Sequence, residues 1–213
     1  MFPQEEMLEV ERKRSRLIIG IPKNNPKIEQ RVALTPEAVE ILVNQGHEVI
    51  IESGAGVPAN YSDHTYSENG GFIVREKEQV YQCDIILKIA PLTTEEIDLL
   101  KGDQIIFSNV NLPQQDEEYF RSLMRKRVIA VAFEFLRGED NSYPVIKAIS
   151  EIAGTAAILV ASEYLSNSRN GKGVMLGGVS GITPTEIVIL GAGTAAEYAA
   201  RAAMGLGASV KVF

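Results

Sequence analysis

Short runs of branched apolar residues recur along the first two thirds of this chain, separated by amphipathic segments, and that alternation admits few folds. "RLIIGI", "HEVIIE", "DIILKI", "QIIFS" and "VIAVAF" are nearly continuous in Val, Ile, Leu and Phe. Strands covered on both faces need that composition, so these segments read as parallel strands of one sheet. Between the first two lies "TPEAVEILVNQG". Thr35 is a natural N-cap, Pro36 suits the first helical position, Val39, Leu42 and Val43 share a face, and Gly46 is a stop. A short helix is expected after Asp63, and longer ones over "TTEEIDLLK" and "DEEYFRSLMRKR". The expected class is α/β, with a doubly wound, Rossmann-like layer first.

The composition shifts after "LRGEDNSYPV". Lys147 to Leu165 is Ala-rich and apolar on several sides, which predicts a buried helix between two bodies, with Gly154 allowing another backbone to approach closely. "SNSRNGKGVMLGGVSGITP" then reads as a glycine-rich linker in which Val174, Met175 and Leu176 form a short ordered segment. The last residues, "EIVILGAGTAAEYAARAAMGLGASVKVF", spell strand, glycine turn, helix and strand. The expected organisation is an extension over 1–15, a substrate domain over 16–146, and a linker helix with an incomplete dinucleotide-binding domain over 147–213.

Gly191, Gly193 and Ala196 form G-x-G-x-x-A at the strand-to-helix turn. In such a turn the first glycine makes the bend, the second admits a pyrophosphate, and the small third residue lets helix pack on strand. The amides opening the helix, at Thr194, Ala195 and Ala196, supply donors. The acidic residue that usually contacts the ribose, about 20 residues further on, would fall just past Phe213, so the chain reads as an N-terminal fragment.

Composition narrows the partners. A chain of 213 residues, 45% hydrophobic and 23% charged, can bury a real core, and its net charge of -7 without a basic stripe argues against nucleic acid. The one basic cluster, "ERKRSR" from Glu11 to Arg16, sits beside acidic residues in the N-terminal extension. Cys83 is the single cysteine, so no internal disulfide can form, and it reads as a small core residue. No apolar run of transmembrane length and no signal peptide is evident, which predicts the cytoplasm and no membrane insertion. His47 and His64 are the two histidines; both read as structural or exposed, and no metal site is expected.

Two cations sit where open α/β sheets place ligands. Arg31 lies in the loop between the first strand and the capped helix, and Lys88 ends the strand "DIILKI". A guanidinium clamps a carboxylate bidentately and an ammonium can polarise a keto oxygen, so the pair suits a small carboxylate. Glu134, in "AFEFL", could orient either cation or form an ordinary structural ion pair, and Glu151 could be a partner across the domain boundary.

Taken together, "IGIPKNNPKIEQRVALTPEAVEILVNQGHEVIIESGAG", "DIILKIAPLTTEEIDLLKGDQIIFS", "ISEIAGTAA" and "GKGVMLGGVSGITPTEIVILGAGTAAEYAARAAMGLGASVKVF" resemble the alanine dehydrogenase family. That family shares its fold with the NAD-binding alpha subunit of proton-translocating nicotinamide nucleotide transhydrogenase. The resemblance implies an NAD-dependent oxidoreductase that interconverts L-alanine with pyruvate and ammonia, its active site in an interdomain cleft and its subunits in a homo-oligomer. By position it implies that Arg31 binds the substrate carboxylate, Lys88 contacts the carbonyl, and Ser150 lines the cofactor site with Gly191, Gly193 and Ala196. One position departs: the family carries a histidine after the fourth strand, and here stands Asn111, with Asn109 where an aromatic is usual. Asparagine can bond a substrate oxygen but cannot exchange a proton near neutral pH. The alternatives are the transhydrogenase subunit, in which hydride passes to a partner's cofactor, and a module of the same fold without activity.

Overall fold

The computed structural model describes residues 16–213, so the N-terminal extension expected over 1–15 lies outside the described residues. The chain divides into two compact units, one running to Phe133 and the other from Glu134 to Phe213.

The first unit contains strands β1 (Ile18–Ile21), β2 (Glu48–Glu52), β3 (Phe72–Val74), β4 (Ile85–Leu87), β5 (Ile105–Ser108) and β6 (Ile129–Ala132). Helices α1 (Pro36–Asn44), α2 (Asp63–Glu68), α3 (Lys77–Val80), α4 (Thr94–Leu99) and α5 (Glu117–Arg125) connect them. All strands are parallel in one six-stranded sheet of order β3-β2-β1-β4-β5-β6. Five of these strands are the five expected runs. The sixth, β3, pairs with β2 at the sheet edge, and three residues after a Gly-Gly pair are too short for a pattern to declare.

Alternation along the strands splits the core in two. Ile19, Ile21, Val49 and Ile51 face Val39 of α1 and Tyr66 of α2, while Ile86 and Ile106 pack with Ile97 of α4 and Leu123 of α5. Helices therefore cover both faces of the sheet, as its apolar strands require. Helix α1 starts as anticipated, with Thr35 capping the Ala38 amide and Pro36 at the first turn. Cys83 is buried in the second cluster, and burial pushes its thiol up to about 12.

The second unit holds α6 (Pro144–Leu165), β7 (Glu186–Ile189), α7 (Thr194–Gly205) and β8 (Ser209–Val212), with β7 and β8 parallel and adjacent. Helix α6 packs along α7. Gly154 is buried there, and a side chain on it would run into the backbone carbonyl of Ala195, so two helix backbones meet as the small residues allow. The glycine-rich stretch between them is ordered in part: Leu176 joins Ile158, Ala199 and Ala203 in the core of this unit, and Thr185 Oγ1 donates to the Met175 carbonyl at 2.7 Å.

Two expectations change here. Of α6, Gly154 and Ile158 are buried, whereas Ile152 is 71% and Tyr164 70% exposed. A helix apolar all round can bury within this unit just the face turned to α7. By length and composition alone α6 could also cross a membrane, against the expectation that no such run exists. Its packing against α7 places it in the α/β fold.

Two outcomes follow from these contacts. On helix propensity alone Gly154→Ala would stabilise by about 1 kcal/mol; the clash with Ala195 reverses the sign, by about 1–3 kcal/mol. Thermal denaturation of that variant should come at a lower midpoint than the parent, and an equal or higher midpoint would refute the close contact. The Cys83 thiol, held neutral by burial up to about 12, should resist iodoacetamide at pH 8 in the folded chain and react readily in denaturant. Because folding raises this pKa, its contribution to stability is complete below the unfolded thiol range and should be lost as pH climbs towards 12, which urea titrations at rising pH would read.

Candidate active site

The strand order reverses between β1 and β4, which are hydrogen-bonded neighbours with Ile19 opposite Ile85 and Gly20 opposite Ile86. Outside the carboxyl ends of two such strands the connections leave in opposite directions and a crevice opens, where this class of sheet binds ligands. Arg31 lies in the loop that leaves β1, and Lys88 follows the last residue of β4. One buried side chain ties the loops together: Asn24 Nδ2 donates to the Arg31 carbonyl at 3.1 Å, and its Oδ1 accepts from the Ala90 amide at 3.4 Å. Nothing in "KNNPK" separates Asn24 from Asn25, because burial alone distinguishes them.

Each cation is already held by a carboxylate. Arg31, partly exposed, presents its fork to Glu29, with Nε to Oε1 at 2.8 Å and an Nη to Oε2 at 2.7 Å. The guanidinium bonds keep the Glu29 carboxyl below the usual range and raise Arg31. This bidentate geometry is the one a ligand carboxylate would use. Lys88 is buried, its Nζ 2.6 Å from Oε1 and 2.5 Å from Oε2 of Glu96 and 3.4 Å from the Pro91 carbonyl. Glu96 in turn accepts from the Thr93 amide at 2.7 Å while Thr93 Oγ1 accepts from the Glu96 amide, the reciprocal capping box that opens α4. Tyr81 is buried beside it; burial first, then the charge of Glu96 and a hydrogen bond to it, push the phenol far up. The carboxylate partners of Arg31 and Lys88 are thus Glu29 and Glu96; Glu134 sits in a short turn at Phe133–Phe135.

Asn111 follows β5, next to β4 in the sheet, in the left-handed conformation (φ 49°, ψ 54°), which asparagine tolerates. Its Nδ2 donates to Gln114 Oε1 at 2.6 Å. His47 accepts from the Leu17 amide through Nδ1, and His64 is exposed beside Glu68.

In the second unit the turn from β7 to α7 has the shape of an anion cradle. Gly191 has φ +109°, a conformation closed to most side chains, and Gly193 caps α7 without any side-chain bond to the first-turn amides. Those amides, from Thr194, Ala195 and Ala196, have no partner within a helix by geometry, and a Cβ built at Gly191 or Gly193 would meet nothing within 4 Å. Open space above unsatisfied donors at the start of a twelve-residue helix fits a phosphate group. Ser150 is half-buried on α6. Its neighbour Glu151 accepts a hydrogen bond from Tyr198 of α7 in the same unit.

Comparison with known proteins agrees with this architecture. Residues 20–153 match the family model described as the alanine dehydrogenase/PNT N-terminal domain, and residues 157–213 match the C-terminal domain of the same family. The alanine dehydrogenase of Staphylococcus saprophyticus is 36% identical over 196 residues, which are 92% of this chain and 53% of that protein. A solved L-alanine dehydrogenase superposes with a TM-score of 0.86 at 35% identity, covering 92% of this chain and 54% of the other. A transhydrogenase from Sinorhizobium meliloti shares the fold, with a TM-score of 0.80 at 23% identity over 92% of this chain and 56% of its own. The chain spans about half the length of the curated relatives it matches. With both family models matched in order along one α/β chain, it belongs to the alanine dehydrogenase/PNT family.

Proposed function

We propose that this chain carries the substrate end and the start of the cofactor site of an NAD-dependent oxidoreductase that interconverts L-alanine with pyruvate and ammonia. The observation that carries the reading is the placement of Arg31 and Lys88 in the two loops that leave the sheet at its reversal point.

In this reading Arg31 exchanges its internal carboxylate, Glu29, for the carboxylate of the substrate, one bidentate pair for another. Lys88 donates a hydrogen bond to the carbonyl oxygen and stabilises the negative charge that grows there as the carbonyl carbon is attacked. Asn111 offers the substrate hydrogen bonds alone, which leaves Lys88 as the group that can hold a proton beside the reacting oxygen. NAD supplies the hydride chemistry when bound. Its pyrophosphate would be held by the first-turn amides of Thr194, Ala195 and Ala196 above Gly191 and Gly193, with Ser150 lining the site. The apolar face that α6 leaves open is a surface that a homo-oligomer would cover.

A second reading, the NAD-binding subunit of a transhydrogenase, is favoured by Asn111, since a subunit without an organic substrate needs no imidazole there.

In the gene's full-length product, pyruvate and ammonium should drive oxidation of NADH, followed at 340 nm. Arg31→Ala and Lys88→Ala should each lower that rate by about 100-fold or more, the usual cost of removing a group that stabilises developing charge. No turnover by the parent, with NADH still bound, would sink the alanine reading and leave the transhydrogenase subunit. Gly193→Val puts a side chain into open space, so it should leave folding intact while weakening NADH binding, read by nucleotide fluorescence. Unchanged binding would remove the glycine turn from the cofactor site.

A further inference from the structure

We propose that Asn24 is the positioning residue of Arg31, a buried clasp that fixes the main chain of the arginine to the edge of the sheet. The proposal rests on the reading of Arg31 as the group that binds the substrate carboxylate.

The Arg31 side chain is 54% exposed, so a ligand can reach it, and its bidentate partner Glu29 lies two residues away. A pair on one short segment moves with that segment and cannot place it. The bonds around the pair close locally as well. The Ile28 and Glu29 amides donate to the Asn25 carbonyl, the Lys27 amide to Asn25 Oδ1, and the Arg31 amide to Glu29 Oε1. These bonds shape the loop without tying it to the strands.

The Asn24 side chain makes that tie. Its Nδ2 donates to the Arg31 carbonyl at 3.1 Å, and its Oδ1 accepts at 3.4 Å from the Ala90 amide, 66 residues away in sequence. Ala90 leaves a firm base. Just before it the Lys88 amide donates to the Phe107 carbonyl at 2.9 Å, and the Ile89 carbonyl accepts from the Asn109 amide at 3.0 Å. On the other side of the Arg31 carbonyl, Val32 packs against the core. The planar Arg31–Val32 peptide is therefore held from both ends, which sets the direction in which the arginine leaves the backbone.

The residue type fits this task. The two main-chain groups that meet here are one acceptor and one donor, and an asparagine amide carries the complement of each at its tip. At 7% exposure Asn24 leaves little room for water to replace a lost bond. Leucine has nearly the same shape and neither polar atom. Aspartate, ionised at pH 8, keeps the acceptor for Ala90 and loses the donor for Arg31.

The two substitutions thus take the clasp apart. In the 213-residue chain, amide hydrogen exchange read by NMR should be about tenfold or more faster at Ala90 in Asn24→Leu and parental in Asn24→Asp. Parental exchange along β1 and β2 shows that the sheet is intact in both. Trypsin should cut after Arg31 several-fold faster in both variants, because both release the carbonyl of the bond that is cut. In the full-length enzyme both should raise KM for pyruvate by about ten- to a hundredfold, the scale of a misplaced group. KM for NADH should stay within about twofold of the parent, whereas a general loss of structure would move both constants. Parental KM for pyruvate in Asn24→Asp, while Arg31→Ala is impaired, would overturn the proposal. So would parental exchange at Ala90 in Asn24→Leu, or parental cleavage after Arg31 in the two variants. If the parent does not turn over pyruvate, the functional reading has failed on its own terms, and exchange and cleavage still decide whether Asn24 holds the arginine's main chain.

Discussion

The first unit hangs on the pairing of β1 with β4. Every other strand is added outward from these two, β2 and β3 on one side, β5 and β6 on the other, and their buried side chains feed both halves of the core. Parallel strands require crossovers, and crossovers of fixed hand, starting from neighbouring strands and running opposite ways, put helices on opposite faces. The loops at the carboxyl ends of β1 and β4 are then pulled apart above a shared edge. The position of Arg31 and Lys88 is a consequence of that geometry, and Asn24 joins the two loops across it.

The two cations are held in different ways. Arg31 is clamped by a near neighbour in sequence on a partly exposed loop, where such a pair contributes little to stability and is easily exchanged. Lys88 is desolvated, and its partner is tied to a helix start and to a buried phenol.

The second unit shows a similar economy of small residues. Gly154 lets α6 settle against Ala195 at the start of α7, and Gly191 takes the backbone turn that brings β7 into α7. The helix N-terminus is thereby open to an anion and backed by a packed helix pair. Several apolar residues of α6, Ile152 and Leu159 among them, are exposed in this chain.

Much of this was legible in the sequence. Branched apolar runs declared five of the six strands of the large sheet, and Thr35, Pro36 and Gly46 marked the ends of α1, because strand burial and helix caps are local demands that residue types answer directly. The same holds for the Gly191–Gly193 turn, where the chain direction itself needs glycine. What tertiary structure alone decided were the partners. The edge strand β3 is too short to announce itself, and one asparagine of three polar neighbours is buried. Lys88 meets Glu96, on the helix that follows its strand, and α6 buries one face although its sequence is apolar on several. Each of these depends on which surface lies opposite, a long-range fact: local spacing reveals what a residue can do, and packing selects which group it does it with.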